Sequence, residues 1–365
     1  MSDPTIQTFC CHHGNGTDVA LAVMEEFDSF SYNIVCLFSS TLGILGALYQ
    51  VLPRKQFANS HRWLSFSAER GRRIIIWLAI ADLLAAVGVF LRSTLWISEK
   101  NITPAIDDDY SVLFCALSSA LTQYFYTATW IWTLCYAIDM RYILNQKEGH
   151  FKYYHLFAWL VPALSTVLGL SLLYLPDANC HTSVSFTTAF LRIFPNYFVT
   201  YLPIIIVMII NPILYMKSIK DMKNIITCSS GQFTTREREI LEAVKIKFGI
   251  INAVFYLCWL PNLVNGVLLW TLWSDLPANS VIIIWYIMGF ANPLQAFFNA
   301  LVYRRWSTGS EKVIWPWTRH EYSFNDVRSV SGSNSSNSRE TVREEIYPLL
   351  QSAPAKSVNG YKSLT

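Results

Sequence analysis

The stretch RGRRIIIWLAIADLLAAVGVFLRSTLW, residues 70–96, decides how the rest of the chain is read. Three arginines mark one end, and from Ile74 to Ile97 the run is apolar apart from Asp82, Arg92 and two hydroxyls. A helix rising ~1.5 Å per residue needs roughly 20 apolar residues to cross ~30 Å of hydrocarbon, so this run is long enough. Similar runs recur on both sides, and the spacing predicts spans at 31–52, 74–97, 112–141, 155–175, 197–216, 248–272 and 281–303. A soluble core yields one apolar run of that length, not seven. The chain is 53% hydrophobic and 15% charged, too little charge to solvate a soluble surface of this size. The expected fold class is all-α, a seven-transmembrane helix bundle.

Charge placement orients the expected bundle. The first connection holds Arg54, Lys55, Arg62, Arg70, Arg72 and Arg73; the third holds Arg141, Lys147 and Lys152. The fifth holds Lys217, Lys220, Lys223, Arg236, Arg238, Lys245 and Lys247. The alternate connections offer only Lys100 and Arg192, among Asp107, Asp108 and Asp109. Residues 1–30 contain no Lys or Arg. The positive-inside rule then expects the N-terminus outside or in a lumen and the C-terminus in the cytosol. The sequons at Asn15 and Asn101 both fall on the expected outer side, as glycosylation requires. Nothing near Met1 has the basic start of a signal peptide, so the first span is expected to act as its own insertion signal.

Three regions follow: a lumenal segment 1–30, the bundle 31–303, and a polar cytosolic tail 304–365. The tail's Ser/Asn run from Ser329 to Ser338 reads as disordered. Thr234-x-x-Glu237 opens a capping-box pattern, with Ile240, Leu241 and Val244 at helical spacing, and reads either as a cytosolic extension of the sixth helix or as a solvated loop helix with no role. Cys36, Cys135 and Cys258 lie within spans and read as packing residues. Cys115 and Cys180 lie on the oxidising side and are expected to bridge. Cys10 and Cys11 leave the connectivity open.

Charges inside hydrocarbon cost at least ~2.5 kcal/mol near a helix centre, so each one calls for a role. Asp82 sits mid-span and must face the bundle interior, either as a hydrogen-bonded polar core or as a switch or ion site. Arg92 lies about three turns further out, where it either snorkels to headgroups or meets an anionic ligand group. Asp139 and Arg141 mark the inner end of the third helix. Pro162, Pro203, Pro212, Pro261 and Pro293 interrupt spans, and Trp259 before Pro261 and Asn292 before Pro293 mark two kinks at which helices swing.

These residues carry a resemblance. LAIADLLA, the Cys115/Cys180 placement, Trp159, CWLP at 258–261 and Asn292-Pro293 resemble a G-protein-coupled receptor. More narrowly, the chain resembles the ocular albinism type 1 receptor family. Matching stretches are Phe9-Cys10-Cys11, Asp82-Leu83-Leu84, Arg92 to Trp96, Cys135 to Asp139 and Tyr154 to Trp159. Tyr201-Leu202-Pro203, Asn211 to Leu214, Cys258-Trp259-Leu260 and Ile287 to Pro293 follow in order. The resemblance implies an intracellular receptor of melanosomes and lysosomes that responds to L-DOPA, with tyrosine and dopamine competing, and controls melanosome biogenesis. It implies a heterotrimeric G protein as partner, with arrestin a further candidate, and no cofactor.

Two departures accompany it. The Asp-Arg-Tyr of many rhodopsin-like receptors is here Asp139-Met140-Arg141-Tyr142, which turns the arginine by about 100° around the helix. For sorting, Ile225-Ile226 stands where the family has a dileucine, and the family's tail Trp-Glu pair is missing. The tail instead reads Glu345-Ile346-Tyr347-Pro348-Leu349-Leu350, which fits an acidic dileucine signal overlapping a Tyr-x-x-apolar signal for clathrin adaptors.

Other activities fit less well. A retinal-binding opsin needs a Schiff-base lysine in the seventh span, which has none. A seven-helix metal hydrolase needs several intramembrane ligands, and only His155 touches a span. A ligand-independent sorting scaffold is the strongest rival, and a small-solute or proton transporter using Asp82 and Arg92 is a weaker one. No feature calls for nucleic acid.

For a small-molecule ligand, the outer half offers Arg92, Thr122, Gln123, Tyr126, Trp130, Asn265, Trp270 and Tyr286. Amine receptors carry Asp where this chain has Thr122, so a carboxylate on Arg92 and an aromatic ring on the tyrosines and tryptophans are expected instead. Lys245 and Lys247 are the expected G-protein face, on a basic surface that also suits anionic lipid.

Overall fold

The computed structural model describes residues 27–52, 54–55, 62–98, 109–145, 147–174, 194–230, 235–271, 278–305 and 312–313, together with Val23 and Glu26. Seven long helices occupy them: α1 (Ser29–Val51), α2 (Arg62–Ser98), α3 (Asp109–Leu144), α4 (Phe151–Tyr174), α5 (Phe194–Ser230), α6 (Thr235–Thr271) and α7 (Ala278–Arg305). Each expected span finds its helix. α2, α5 and α6 run well past the expected limits because hydrocarbon thickness ends an apolar run, whereas a helix continues into water where polar side chains are solvated. The expected cytosolic extension of the sixth helix is the first part of α6. A short antiparallel pair, β1 (Arg54–Lys55) with β2 (Lys312–Val313), ties the first connection to the start of the tail.

Six of the seven helices are long and apolar enough to cross a membrane: α1, α4, Arg70–Ser98 of α2, Phe194–Asn224 of α5, Val244–Leu269 of α6 and Ala278–Tyr303 of α7. α3 differs for a physical reason. It carries Ser118, Ser119, Thr122, Gln123, Thr127, Thr129 and Thr133, and from Tyr126 to Ala137 every residue is buried. Leu113, Leu117 and Leu121 nearer its start are exposed, but over the buried stretch α3 meets neighbouring helices on every side and its hydroxyls bond back to its own carbonyls. Thr127, Thr129 and Thr133 do so, to Gln123, Phe125 and Thr129 at 2.8, 3.1 and 2.9 Å. The outer faces of the other helices carry exposed Leu, Ile, Val and Phe, as a lipid-facing surface requires.

Consecutive helices pack side by side, α7 returns to α1, and α3 sits against α2, α4 and α5. Two glycines make the ring close. A Cβ on Gly43 would strike the Pro293 carbonyl, and one on Gly46 would lie 2.5 Å from the Phe297 Cα, so α1 and α7 meet backbone to backbone. The Ser39 hydroxyl donates to the Gly289 carbonyl at 2.9 Å across the same contact.

Candidate functional site

Buried side chains form three tiers along the bundle. Nearest Asp28, which caps α1 through its carboxylate, lie Phe27, Tyr32, Trp285 and Met288. The middle tier holds Tyr126, Trp130, Phe255 and Trp259; the far tier holds Trp132, Tyr136, Tyr215, Phe248 and Tyr303.

The middle tier is joined by a polar ladder between α6 and α7. Trp259, Asn262 and Asn265 follow one another at three-residue spacing and therefore share a helix face. The Trp259 indole donates to Gln295 Oε1 at 2.6 Å, and the Asn262 and Asn292 amides exchange bonds at 2.9 and 3.3 Å. The Trp285 indole donates to Asn265 Oδ1 at 2.9 Å. Pro261 and Pro293 lie within this ladder, so the backbone bonds that proline removes sit beside side-chain bonds that hold the two helices together. Trp259 is fully buried and stands edge-on to Tyr126 and Trp130 at 5.0 and 4.7 Å.

Asp82 is buried and accepts from the Asn299 amide of α7 at 2.9 Å. The arrangement is the hydrogen-bonded polar core that one reading of the sequence expected. Asp139 is buried at the far end of α3, where it takes the Arg70 guanidinium at 2.5, 3.1 and 3.2 Å and the Tyr154 hydroxyl at 3.2 Å. Arg70 also donates to the Lys147 carbonyl at 2.9 Å, and a Cβ on Gly149 would overlap its guanidinium. The bidentate pair thus clamps the α3–α4 connection onto α2. Arg141, one residue out of register with the rhodopsin-like pattern, faces α5 and pairs loosely with Asp221 at 3.6 Å, while Asn145 donates to the same carboxylate at 3.2 Å.

The expected ligand residues are not all brought together. Arg92 and Thr122 line one small cavity of about 20 Å³, with Tyr32, Cys36, Ser93 and Gly289 among its walls. The Arg92 guanidinium also lies 5.9 Å from the Trp96 ring centre. Tyr126 and Trp130 pack one tier deeper against Trp259, and Gln123 donates to Thr127 at 3.2 Å. Asn265 is committed to Trp285, and Tyr286 donates to the Asp28 carbonyl at 3.0 Å. Trp270 lies on α6, and its side chain is outside the described residues.

On the opposite end Lys245 pairs with Glu242 at 2.6 Å and Lys247 lies 5.7 Å from the Tyr303 ring centre. Cys115 is disulfide-bonded; the expected partner, Cys180, lies outside the described residues, as do Asn15, Asn101, Glu345, Tyr347, Leu349 and Leu350. Ile225 and Ile226 fall in the last turns of α5, with side chains outside the described residues. No group of His, Cys, Asp or Glu suited to a metal ion occurs among the described residues.

Arg70, Asp221, Asn262, Trp285, Gln295 and Asn299 escape the sequence reading as site residues. Arg70 is hidden among the basic residues of its connection, and only the fold selects it. Asn262 has a readable signal, because Trp259, Asn262 and Asn265 repeat at helical spacing inside an apolar span.

Long apolar helices packed in sequence, with a polar third helix buried from Tyr126 to Ala137, define a multi-pass integral membrane protein whose interior is built from paired amides, indoles and two buried carboxylates. Within that class, the chain belongs to the ocular albinism type 1 protein family, whose model matches residues 1–361. Human G-protein coupled receptor 143 is 29% identical over 324 residues, spanning 84% of this chain and 78% of that protein. Cyclic AMP receptor-like protein A of Dictyostelium discoideum is 23% identical over 295 residues, 79% of this chain and 67% of its own length. Cyclic AMP receptor 1 of the same organism is 26% identical over 159 residues, 42% of this chain and 38% of that receptor.

Proposed function

We propose that this protein is a seven-span G-protein-coupled receptor that binds a small aromatic amino acid at its Asp28 end. Heterotrimeric G proteins engage at the Asp139 end. Membership of the ocular albinism type 1 family over nearly the whole chain is the observation that carries this reading, since its relatives are named as receptors. The polar ladder at Pro261 and Pro293 supplies what a receptor needs between its two ends, a helix pair with kinks and exchangeable side-chain bonds.

L-DOPA is the proposed ligand, with tyrosine and dopamine as competitors. Its carboxylate meets Arg92, and Thr122 leaves the amine without a carboxylate partner, so an amino acid is favoured over the bare amine. The Asp28 end faces a lumen and the tail faces the cytosol, where Ile225-Ile226 and Glu345 to Leu350 recruit clathrin adaptors toward melanosomes and lysosomes. Arrestin is a further proposed partner, and control of melanosome biogenesis and organisation is the proposed output. Lys245 and Lys247, on the basic cytosolic end, face the G protein and anionic lipid.

Nucleotide exchange by purified G protein, measured with the reconstituted full chain with and without L-DOPA, tests the reading. Ligand-dependent exchange supports it. Exchange that never rises above the protein-free rate, with or without ligand, refutes it in favour of a ligand-independent sorting scaffold. Retention of wild-type surface abundance by the Leu349→Ala, Leu350→Ala double variant discards the sorting signal.

A further inference from the structure

At the Asp28 end of the bundle, residues that precede α1 fill space among the helices. Val23 and Phe27 precede α1, yet they are only 1% and 8% exposed. The Phe27 ring lies in an aromatic cage. It meets Tyr32 at 5.2 Å, stands edge-on to Trp285 at 5.3 Å and 87°, and meets Tyr286 at 6.0 Å. Tyr32 and Tyr286 complete the cage edge-on to each other at 5.8 Å. Phe27 is held beside the start of α1, because the Tyr286 hydroxyl donates to the Asp28 carbonyl and the Asp28 carboxylate caps α1.

Directly against this cage lies the Arg92 cavity, and Tyr32 belongs to both. At about 20 Å³ that cavity holds a single water and no aromatic amino acid. The space suited to an aromatic ring is the one Phe27 already fills, since edge-to-face contact at these separations is what an aromatic ring prefers. Tyr32 belongs to both spaces, so three aromatic side chains surround Phe27 on one side of the shared wall and Arg92 and Ser93 stand on the other.

We propose that Tyr32, Trp285 and Tyr286 form the ring-binding cage for a small aromatic carboxylate, and that Phe27 is an intramolecular stand-in which the ligand displaces. This rests on the reading of the protein as a ligand-binding receptor, and of the aromatic residues expected from the sequence it keeps Tyr286 and leaves out Tyr126 and Trp130. Ligand affinity is then set by the fraction of molecules with the cage open, because a site populated in only part of the ensemble binds more weakly by that fraction.

The test is equilibrium binding of L-DOPA to the purified full chain, with no G protein present, for wild type, Phe27→Ala, and Phe27→Ala with Trp285→Ala. The expected result is a gain of about tenfold or more in affinity for Phe27→Ala, lost again when Trp285 is also removed. Phe27→Leu, which still fills the core, serves if the alanine variant does not fold, with a smaller gain expected. A 4-fluorophenylalanine placed at position 27 should change its ¹⁹F resonance from a buried to a solvent value as L-DOPA is added. Affinity unchanged or weakened in both Phe27 variants, or a fluorine signal that stays buried at saturating ligand, overturns the proposal. Normal L-DOPA binding without nucleotide exchange would sink the signalling reading and leave the cage intact. Ligand-dependent exchange with no effect of Phe27 would do the reverse.

Discussion

Replacing Arg70 by Gln tests the buried ion pair of the Asp139 end against the exposed Arg141–Asp221 pair beside it. Asp139 is 1% exposed and Arg70 17%, so the pair has little water to fall back on. Without the guanidinium, the carboxylate keeps only the Tyr154 hydroxyl at 3.2 Å, and the Lys147 carbonyl loses its donor as well. Breaking one side of a buried pair costs about 3–5 kcal/mol, mostly because the remaining charge is stranded. Arg141 and Asp221 are 42% and 27% exposed and 3.6 Å apart, so Arg141→Gln should cost no more than ~1 kcal/mol. Thermal unfolding in detergent, followed by tryptophan fluorescence at a fixed scan rate, should show a drop on the order of 10 °C for Arg70→Gln and a few degrees at most for Arg141→Gln. Removing both charges, Arg70→Met with Asp139→Leu, should recover much of the loss, since no stranded charge remains. Equal drops for the two single variants, or no recovery in the double, would refute the reasoning.

Gly46→Val should force α1 from α7 and cost about 1–3 kcal/mol or more, read as a lower melting temperature, because the first atom it meets is backbone. Asn299→Leu should destabilise by about 1–3 kcal/mol, since Asp82 loses the amide it accepts from, and Asp82→Asn in that background should restore stability. The Asp28 carboxyl is held below the usual carboxylate range, first by the Ser31 hydroxyl and then by the Ser31 and Phe30 amides. Its folded-state value is depressed, so the cap is fully present above the ordinary carboxylate pKa of ~3.9 and is lost as pH falls through the lower folded value. Protection of the Phe30 and Ser31 amides from exchange, relative to the same amides in an unfolded chain, should therefore hold in mildly acidic buffer and fall only below about pH 4, and Asp28→Asn should remove that dependence.

How far the residues could be read in advance varied with the range of the interaction. Asp82 was legible because a carboxylate in hydrocarbon must face inward whatever its partner is, but its partner Asn299 lies 217 residues away. Trp259 and Asn292 were legible from the prolines that follow them, while Gln295 and Trp285 carried no local mark. Arg141 was recognised as out of register, and the structure shows the consequence: it turns to α5, and Arg70 of α2 takes the place beside Asp139. The expected ligand set was the least legible part. Helical spacing says which residues share a face, but not which tier of the bundle a neighbour's side chain reaches, so Tyr126 and Trp130 sit deeper than the cavity at Arg92.

By itself the sequence determined that long apolar helices would form, roughly where each is found, and that Asp82 would face the interior. Those outcomes follow from local chemistry, the length of an apolar run and the cost of an unsatisfied backbone or charge in hydrocarbon. Only the tertiary structure decided which partner each buried polar group takes, that α3 is enclosed from Tyr126 to Ala137, and that Phe27 fills the aromatic cage. Those outcomes depend on helix rotation and on contacts between different helices and their caps, from 15 to 258 positions apart in the chain, and no spacing within one helix encodes them.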